Sequence, residues 1–397
     1  MKYHVQACFN QFICTGAECE DTCCKGWCIP IDKKSYQRYL RVKGAFGRRL
    51  FRGIEHKKRC FRMRGSVCAF LNRAGFCDIY KELGRKGMCK SCREYPRHRE
   101  DYGQLQEVML SLSCPEAARL ILSDETQGMW KEKERMVIAE EQRSKEGDEP
   151  ETDLVEDLEE LRQTMVCLIK DRSIEWRQRL AMMLALAHDF QRHWNKIQKA
   201  GYPYSEQRRR QWAKRLSQRY LSRTAAGRFA RRIERIRTGE REREIRIAAW
   251  MRLMREMEPV LNDWKEQWDR ICSSLYHQRS IKEYQAFCQQ FERASADLEQ
   301  DWENLAIYFV NTYMLGAVYD EDVYGKAKLV VFGSSIIREW SLFRYAVKGR
   351  IDRAELVGTA YRYSREVENS DQNLEFLEEQ LKKNPLFGLN EMLKVVV

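Results

Sequence analysis

Several common signatures are missing from this 397-residue sequence, and each absence closes a class of function. The opening stretch "MKYHVQACFNQF" is interrupted by polar residues throughout, so it has no apolar run of the length a signal peptide or membrane span needs. No Gly-x-Gly-x-x-Gly word follows an expected strand and no P-loop occurs, which argues against a Rossmann-type nucleotide site. Histidine is scarce, six in all. Those nearest the cysteines, His4, His56 and His98, stand in no zinc-finger spacing. The Cys-x3-Cys-x2-Cys word of radical-type clusters is also absent: Cys19 and Cys23 meet its first gap, but position 26 is Gly26 and the next cysteine is Cys28. The bacterial ferredoxin run does not occur either.

What is abundant is cysteine, and it is concentrated at one end. Twelve of the 15 lie between Cys8 and Cys114, leaving Cys167, Cys272 and Cys288 as isolated small hydrophobes. The expected compartment is the cytoplasm, where thiols stay reduced, and a chain this long needs no staples, so disulfides are disfavoured. Short words such as Cys19-x3-Cys23-Cys24, "CAFLNRAGFC" and "CKSCREYPR" let turns converge several sulfurs on one centre. An almost purely sulfur ligand set suits zinc or an iron–sulfur cluster, not magnesium or calcium. Gly16, Gly26, Gly75, Gly84 and Gly87 fall where such turns need positive φ or close backbone approach. "SCPEAARLIL" reads as a helix with Ser113 and Glu116 forming a capping box and Cys114 at the positive dipole end.

The rest of the chain has a different character. An N-terminal cysteine-rich module of loops and short helices is expected over residues 1–139, a charged linker over 140–153 and an α-helical domain over 154–397, so the fold class is mainly α. Apolar residues recur at helical spacing, as in Leu158, Leu161, Met165 and Leu168, and again in Leu180, Met183, Leu184 and Leu186. "KAKLVVFGSSII" is β-branched enough for a strand, but helix is preferred.

The formal charge of +12 is unevenly placed. Residues 208–246 hold 15 Lys or Arg against 4 Glu and are expected to form a basic helix. Its face would be solvated, or would dock an acidic protein; nucleic acid is the least favoured partner, since no aromatics form a stacking platform.

The words "CTGAECEDTCCKGWCIPIDKKSYQRY", "CAFLNRAGFCDIYKELG", "SCREYPR" and "LSLSCPEAARL" resemble, in order and spacing, those of the flagellin lysine-N-methylase family, which shares them with iron- or zinc-chelating cysteine-rich proteins. The resemblance covers about the first 120 residues and is slight beyond, where "YFVNTY" and "RAELVGTAYRYSREVENSDQNLEFL" can be quoted. It implies methyl transfer from S-adenosylmethionine to surface lysines of flagellin, and an iron–sulfur cluster, [4Fe–4S] or with zinc as the alternative. The family cysteines it carries over are Cys14, Cys19, Cys23, Cys24, Cys68, Cys77, Cys92 and Cys114, twice the four thiolates one cluster takes. The S-adenosylmethionine site stays unassigned, between the domains or beside the cluster. Lysine methylation needs a shielded slot in which the ammonium loses its proton, and Tyr80, Tyr95 and Asp78, set among the cysteine words, are candidate catalytic groups. A metal-stabilised adaptor that binds an acidic partner is the non-enzymatic alternative.

Overall fold

The computed structural model describes residues 2–126, 128–133, 152–200, 206–236, 240–260 and 263–396. The linker expected over 140–153 therefore lies outside the described residues, apart from the start of the Thr152–Lys170 helix. The mainly α expectation holds, and the helices after residue 152 form the body of the molecule. Leu158, Leu161, Met165 and Leu168 line the buried face of Thr152–Lys170, as their spacing requires. "KAKLVVFGSSII" is helical, part of Val323–Lys348. That helix starts where the Asp322 carboxylate accepts from the Gly325 N–H at 2.8 Å and stops at Gly349, whose φ of 68° terminates it in the left-handed region. Its middle, from Ala327 to Leu342, is buried almost all round, which suits its apolar composition.

A four-stranded sheet is the feature that loops and short helices did not anticipate. Its order is Arg97–Asp101, Leu105–Leu110, Lys2–Gln6, Trp130–Lys133. Lys2–Gln6 runs parallel to Leu105–Leu110, with Val5 opposite Val108, and antiparallel to Trp130–Lys133. Leu105, Met109 and Leu110 from the sheet, with Ala117, Ala118 and Ile121 from helix Pro115–Leu122, share one apolar core with the long helices. A buried ion pair fastens the sheet to the body. Arg162 donates to both Glu107 oxygens at 2.6 and 2.7 Å, with both side chains almost wholly inaccessible.

Most of the chain between the first two paired strands builds a separate, smaller core around Ile29, Ile31, Leu50, Phe61 and Phe70, with Cys24, Cys68 and Cys89 among its members. The cysteine words ride on this unit.

The single basic helix expected over 208–246 is instead parts of three: Glu206–Leu221, Arg223–Ile236 and Glu240–Glu256. Much of its charge is neutralised internally. Arg209 pairs with Asp157, Arg210 with Glu156, Arg219 with Asp189 and Arg246 with Glu391.

Candidate functional site: a thiol-lined cavity

The loop that carries the first cysteines is shaped by glycines and pinned by backbone bonds. Gly16 and Gly26 take φ of 62° and 86°, values that a side chain would oppose. The Cys68 N–H donates to the Cys24 carbonyl at 2.8 Å, and the Gly26 N–H to that of Ser66 at 2.8 Å, laying the loop along the Met63–Arg64/Val67–Cys68 hairpin. Trp27 Nε1 donates to the Cys23 carbonyl at 2.8 Å. The next turn closes when Asn72 Oδ1 accepts from the Ala74 and Phe76 N–H groups, bringing Leu71 opposite Cys77. Gly87 has an ordinary φ but is needed for space, because a Cβ there would lie 2.2 Å from that of Leu83.

These turns direct seven of the eight carried-over cysteines, Cys14, Cys19, Cys23, Cys24, Cys77, Cys92 and Cys114, to one cavity of about 450 Å³. Cys68 lies behind it, beside Cys24, Cys77 and Cys92. Cys77 and Cys114 stand at the N-cap positions of helices Asp78–Gly87 and Pro115–Leu122. The expected capping box at Ser113 does not form. Its hydroxyl bonds Tyr95 Oη at 3.0 Å and Ser111 Oγ at 2.7 Å, while Glu116 pairs with Arg119.

Burial raises three of these thiols, pushing Cys77 and Cys114 up to about 11 and Cys68 up to about 12. The adjacent pair divides its proton: the Cys23 thiol hydrogen-bonds the Cys24 sulfur, lowering Cys24 and raising Cys23, with Arg365 helping to lower Cys24. Among the described residues no three Cys, His, Asp or Glu side chains gather closely enough to hold one metal ion. A cluster asks for something different, since its four thiolates bind four separate irons and stand further apart than the ligands of a single ion. The all-thiol donor chemistry and the size of the cavity are compatible with such a group.

Of the three candidate catalytic residues, the fold brings two to the cavity. Tyr80 lines it while 42% exposed, its ring edge-on to Phe76 at 5.3 Å. Tyr95 lines it from within, and burial raises its phenol, which stays a neutral hydroxyl. Asp78 is turned away: its carboxylate pairs with Arg49 and accepts from Asn72 Nδ2 at 2.9 Å.

Sequence reasoning missed the group that closes the site from the other side. Arg365, on helix Arg353–Val367, lines the cavity with only 4% of its surface exposed. Its Nε donates to the Ser113 carbonyl at 2.9 Å, its Nη2 to the Asp21 carbonyl at 3.0 Å, and its Nη1 lies 2.7 Å from the Asp21 carboxylate. It thus ties the cysteine loop to the helical body and faces the sulfurs with a fixed positive charge. Its one sequence signal was membership of the word "RAELVGTAYRYSREVENSDQNLEFL". Arg97 also lines the cavity and stacks on Phe12 at 5.0 Å.

Comparison with known proteins points the same way. Residues 162–395 match the family model described as the FliB lysine N-methylase C-terminal domain. The chain is 33% identical over 124 residues to the flagellar biosynthetic protein FliU of Salmonella muenchen, a stretch covering 29% of this chain and 73% of that protein. It is 32% identical over 124 residues to the lysine-N-methylases of Salmonella typhimurium and Salmonella choleraesuis, which covers 31% of each of those proteins. No solved structure matches the chain.

Proposed function

The chain belongs to the FliB lysine N-methylase family, and from that premise we propose that it transfers methyl groups from S-adenosylmethionine to surface lysines of flagellin, in the cytoplasm. The observation that carries the reading is the thiol-lined cavity closed by Arg365, a residue of the matched domain. A substrate lysine must lose a proton before its Nζ lone pair can attack the sulfonium methyl. The new C–N bond forms as the C–S bond breaks, and that electron pair stays on sulfur.

The residues at hand divide this work. Tyr80, at the exposed rim, is free to meet an incoming amine; Tyr95, a buried neutral phenol held by Ser113, orients and does not accept protons. Asp21 and Glu116, the two carboxylates lining the cavity, already hold Arg365 and Arg119. Release of the lysine proton is therefore assigned to water at the rim, not to a buried carboxylate. Four of the eight carried-over thiols would hold an iron–sulfur cluster, which would supply a fixed structural and electrostatic centre. The sheet has one parallel pair, and no Rossmann crevice occurs among the described residues, so the methyl donor is assigned to this cavity and not to a dinucleotide-type fold.

Anaerobically purified protein, incubated with S-adenosylmethionine and its cognate flagellin, should raise the flagellin mass in methyl increments located on lysines. Iron and acid-labile sulfide should be near stoichiometric in the same sample. Unchanged flagellin mass with verified metal would leave the adaptor reading in place.

A further inference from the structure

The densest basic stretch is not the 208–246 run. Residues 33–64 hold 13 Lys or Arg and one acid, Glu55. Three of the arginines serve the fold: Arg38 donates to the Gly87 and Met88 carbonyls, Arg49 pairs with Asp78, and Arg62 with Glu55. Lys43, Arg48, Arg52, Lys57 and Lys58 are exposed, and none forms an ion pair with a described residue.

A groove runs through this face. Helix Gly44–Arg52 follows its preceding turn so closely that a Cβ on Gly47 would lie 1.9 Å from the Val42 carbonyl oxygen. The recess so formed measures about 520 Å³ and is lined by Lys43, Arg48 and Arg52 together with Val42 and Phe51. Phe51 is 59% exposed and nearby Leu40 48%. Phe51 thus places an exposed apolar ring among the cations of the recess.

We propose that this groove docks an acidic segment of a protein partner, with carboxylates meeting Lys43, Arg48 and Arg52 and one apolar side chain seated against Phe51 and Val42. Complementarity of charge selects this occupant: Lys43, Arg48 and Arg52 line a shallow recess that no acidic side chain among the described residues shares. A nucleic-acid strand calls for several stacking rings, whereas Phe51 is the one aromatic ring in the groove and already lies 4.3 Å from the His56 ring. The inference does not rest on methyl transfer, since binding is measured without any donor.

The test is fluorescence anisotropy of the full-length protein with a labelled glutamate-rich peptide bearing one central phenylalanine. A polyuridine RNA and phosphatidylserine vesicles serve as competing probes. The peptide should bind in a salt-weakened manner, and K43E/R48E/R52E should lose at least about tenfold in affinity. Phe51→Ser should lose less, about threefold, through the apolar contact alone. Where the reversal perturbs folding, K43Q/R48Q/R52Q serves in its place, judged against an unchanged melting temperature. Absence of peptide binding, equal binding by the neutralised variant, or tighter binding of the RNA or vesicles would each overturn the proposal.

Discussion

The molecule has two cores that are stabilised differently. The helical body, with the sheet packed into it, buries long apolar faces and encloses complete ion pairs such as Arg162–Glu107 and Arg179–Glu303. The cysteine-rich unit has a core of 12 residues, three of them cysteines that also belong to the ligand words or their surroundings. A core of that size supplies on the order of 3–5 kcal/mol at most, which small units commonly supplement with metal or disulfide. The contrast teaches that thiols can serve as packing and as ligands at once, and that burial alone does not say which role a given cysteine fills.

The comparison breaks most visibly where a buried charge is stranded. Arg162→Met would leave Glu107 in the interior with His4 Nδ1, 3.3 Å away, as its remaining partner, and a loss of about 3–5 kcal/mol is expected, with Glu107→Gln/Arg162→Met recovering most of it. Thermal and urea melts of the three proteins check this. The pair also fixes a pH dependence. Burial by itself would raise the Glu107 pKa, but the charge and hydrogen bonds of Arg162, helped by those of His4, outweigh it and hold the carboxyl below its ordinary 4.5. A carboxylate depressed in the folded state contributes stability that is fully present above its unfolded value and is lost as pH falls through the folded value. Acid titration of stability should therefore be shallower below about pH 4.5 in the double variant than in the parent.

How much of this could be read beforehand differs between the two regions for physical reasons. Turns that gather sulfurs are local, so glycines such as Gly16 and Gly75 and the cysteine spacing announce them. Helical periodicity in Leu158–Leu168 is equally local. The strand Arg97–Asp101, "RHRED", carries no apolar residue, and only its pairing with Leu105–Leu110 makes it a strand. Asp78 follows Cys77 in sequence yet faces Arg49, because the first turn of a helix can aim a side chain away from its neighbour's site. Arg365 lies in a helix containing other arginines, and only the tertiary fold aims it at the sulfurs. The family match falls over residues 162–395, whereas most of the distinctive words lie in the cysteine region.

A second, smaller effect sharpens the division within the cysteines. Ser substitution at Cys19, Cys23, Cys68, Cys77 or Cys92 should weaken metal retention by at least the roughly 10–100-fold typical of outer-shell changes. Cys167, Cys272 and Cys288, all in the helical body, should tolerate it with full metal content. Hydrogen exchange after chelation should rise across residues 24–92 while the buried helix Val323–Lys348 stays protected. Full metal content across the first group would make those thiols packing residues.

The smallest effect concerns the two basic regions. In the 208–246 run, Arg209, Arg219 and Arg246 are held by acids of the body, whereas Arg231, Arg232 and Arg235 are exposed on helix Arg223–Ile236. Reversing the latter three to Glu should change stability by no more than about 0.5 kcal/mol each, as for ordinary surface positions. Methyl transfer to intact flagellin decides between the faces. If docking runs through the 33–64 groove, R231E/R232E/R235E should slow the reaction only through long-range steering, about twofold or less and vanishing in high salt. K43E/R48E/R52E should slow it about tenfold, with residual sensitivity to salt, because direct contacts are lost. The opposite ranking, at equal metal content, would return the docking role to the arginine run and leave the groove a solvated face.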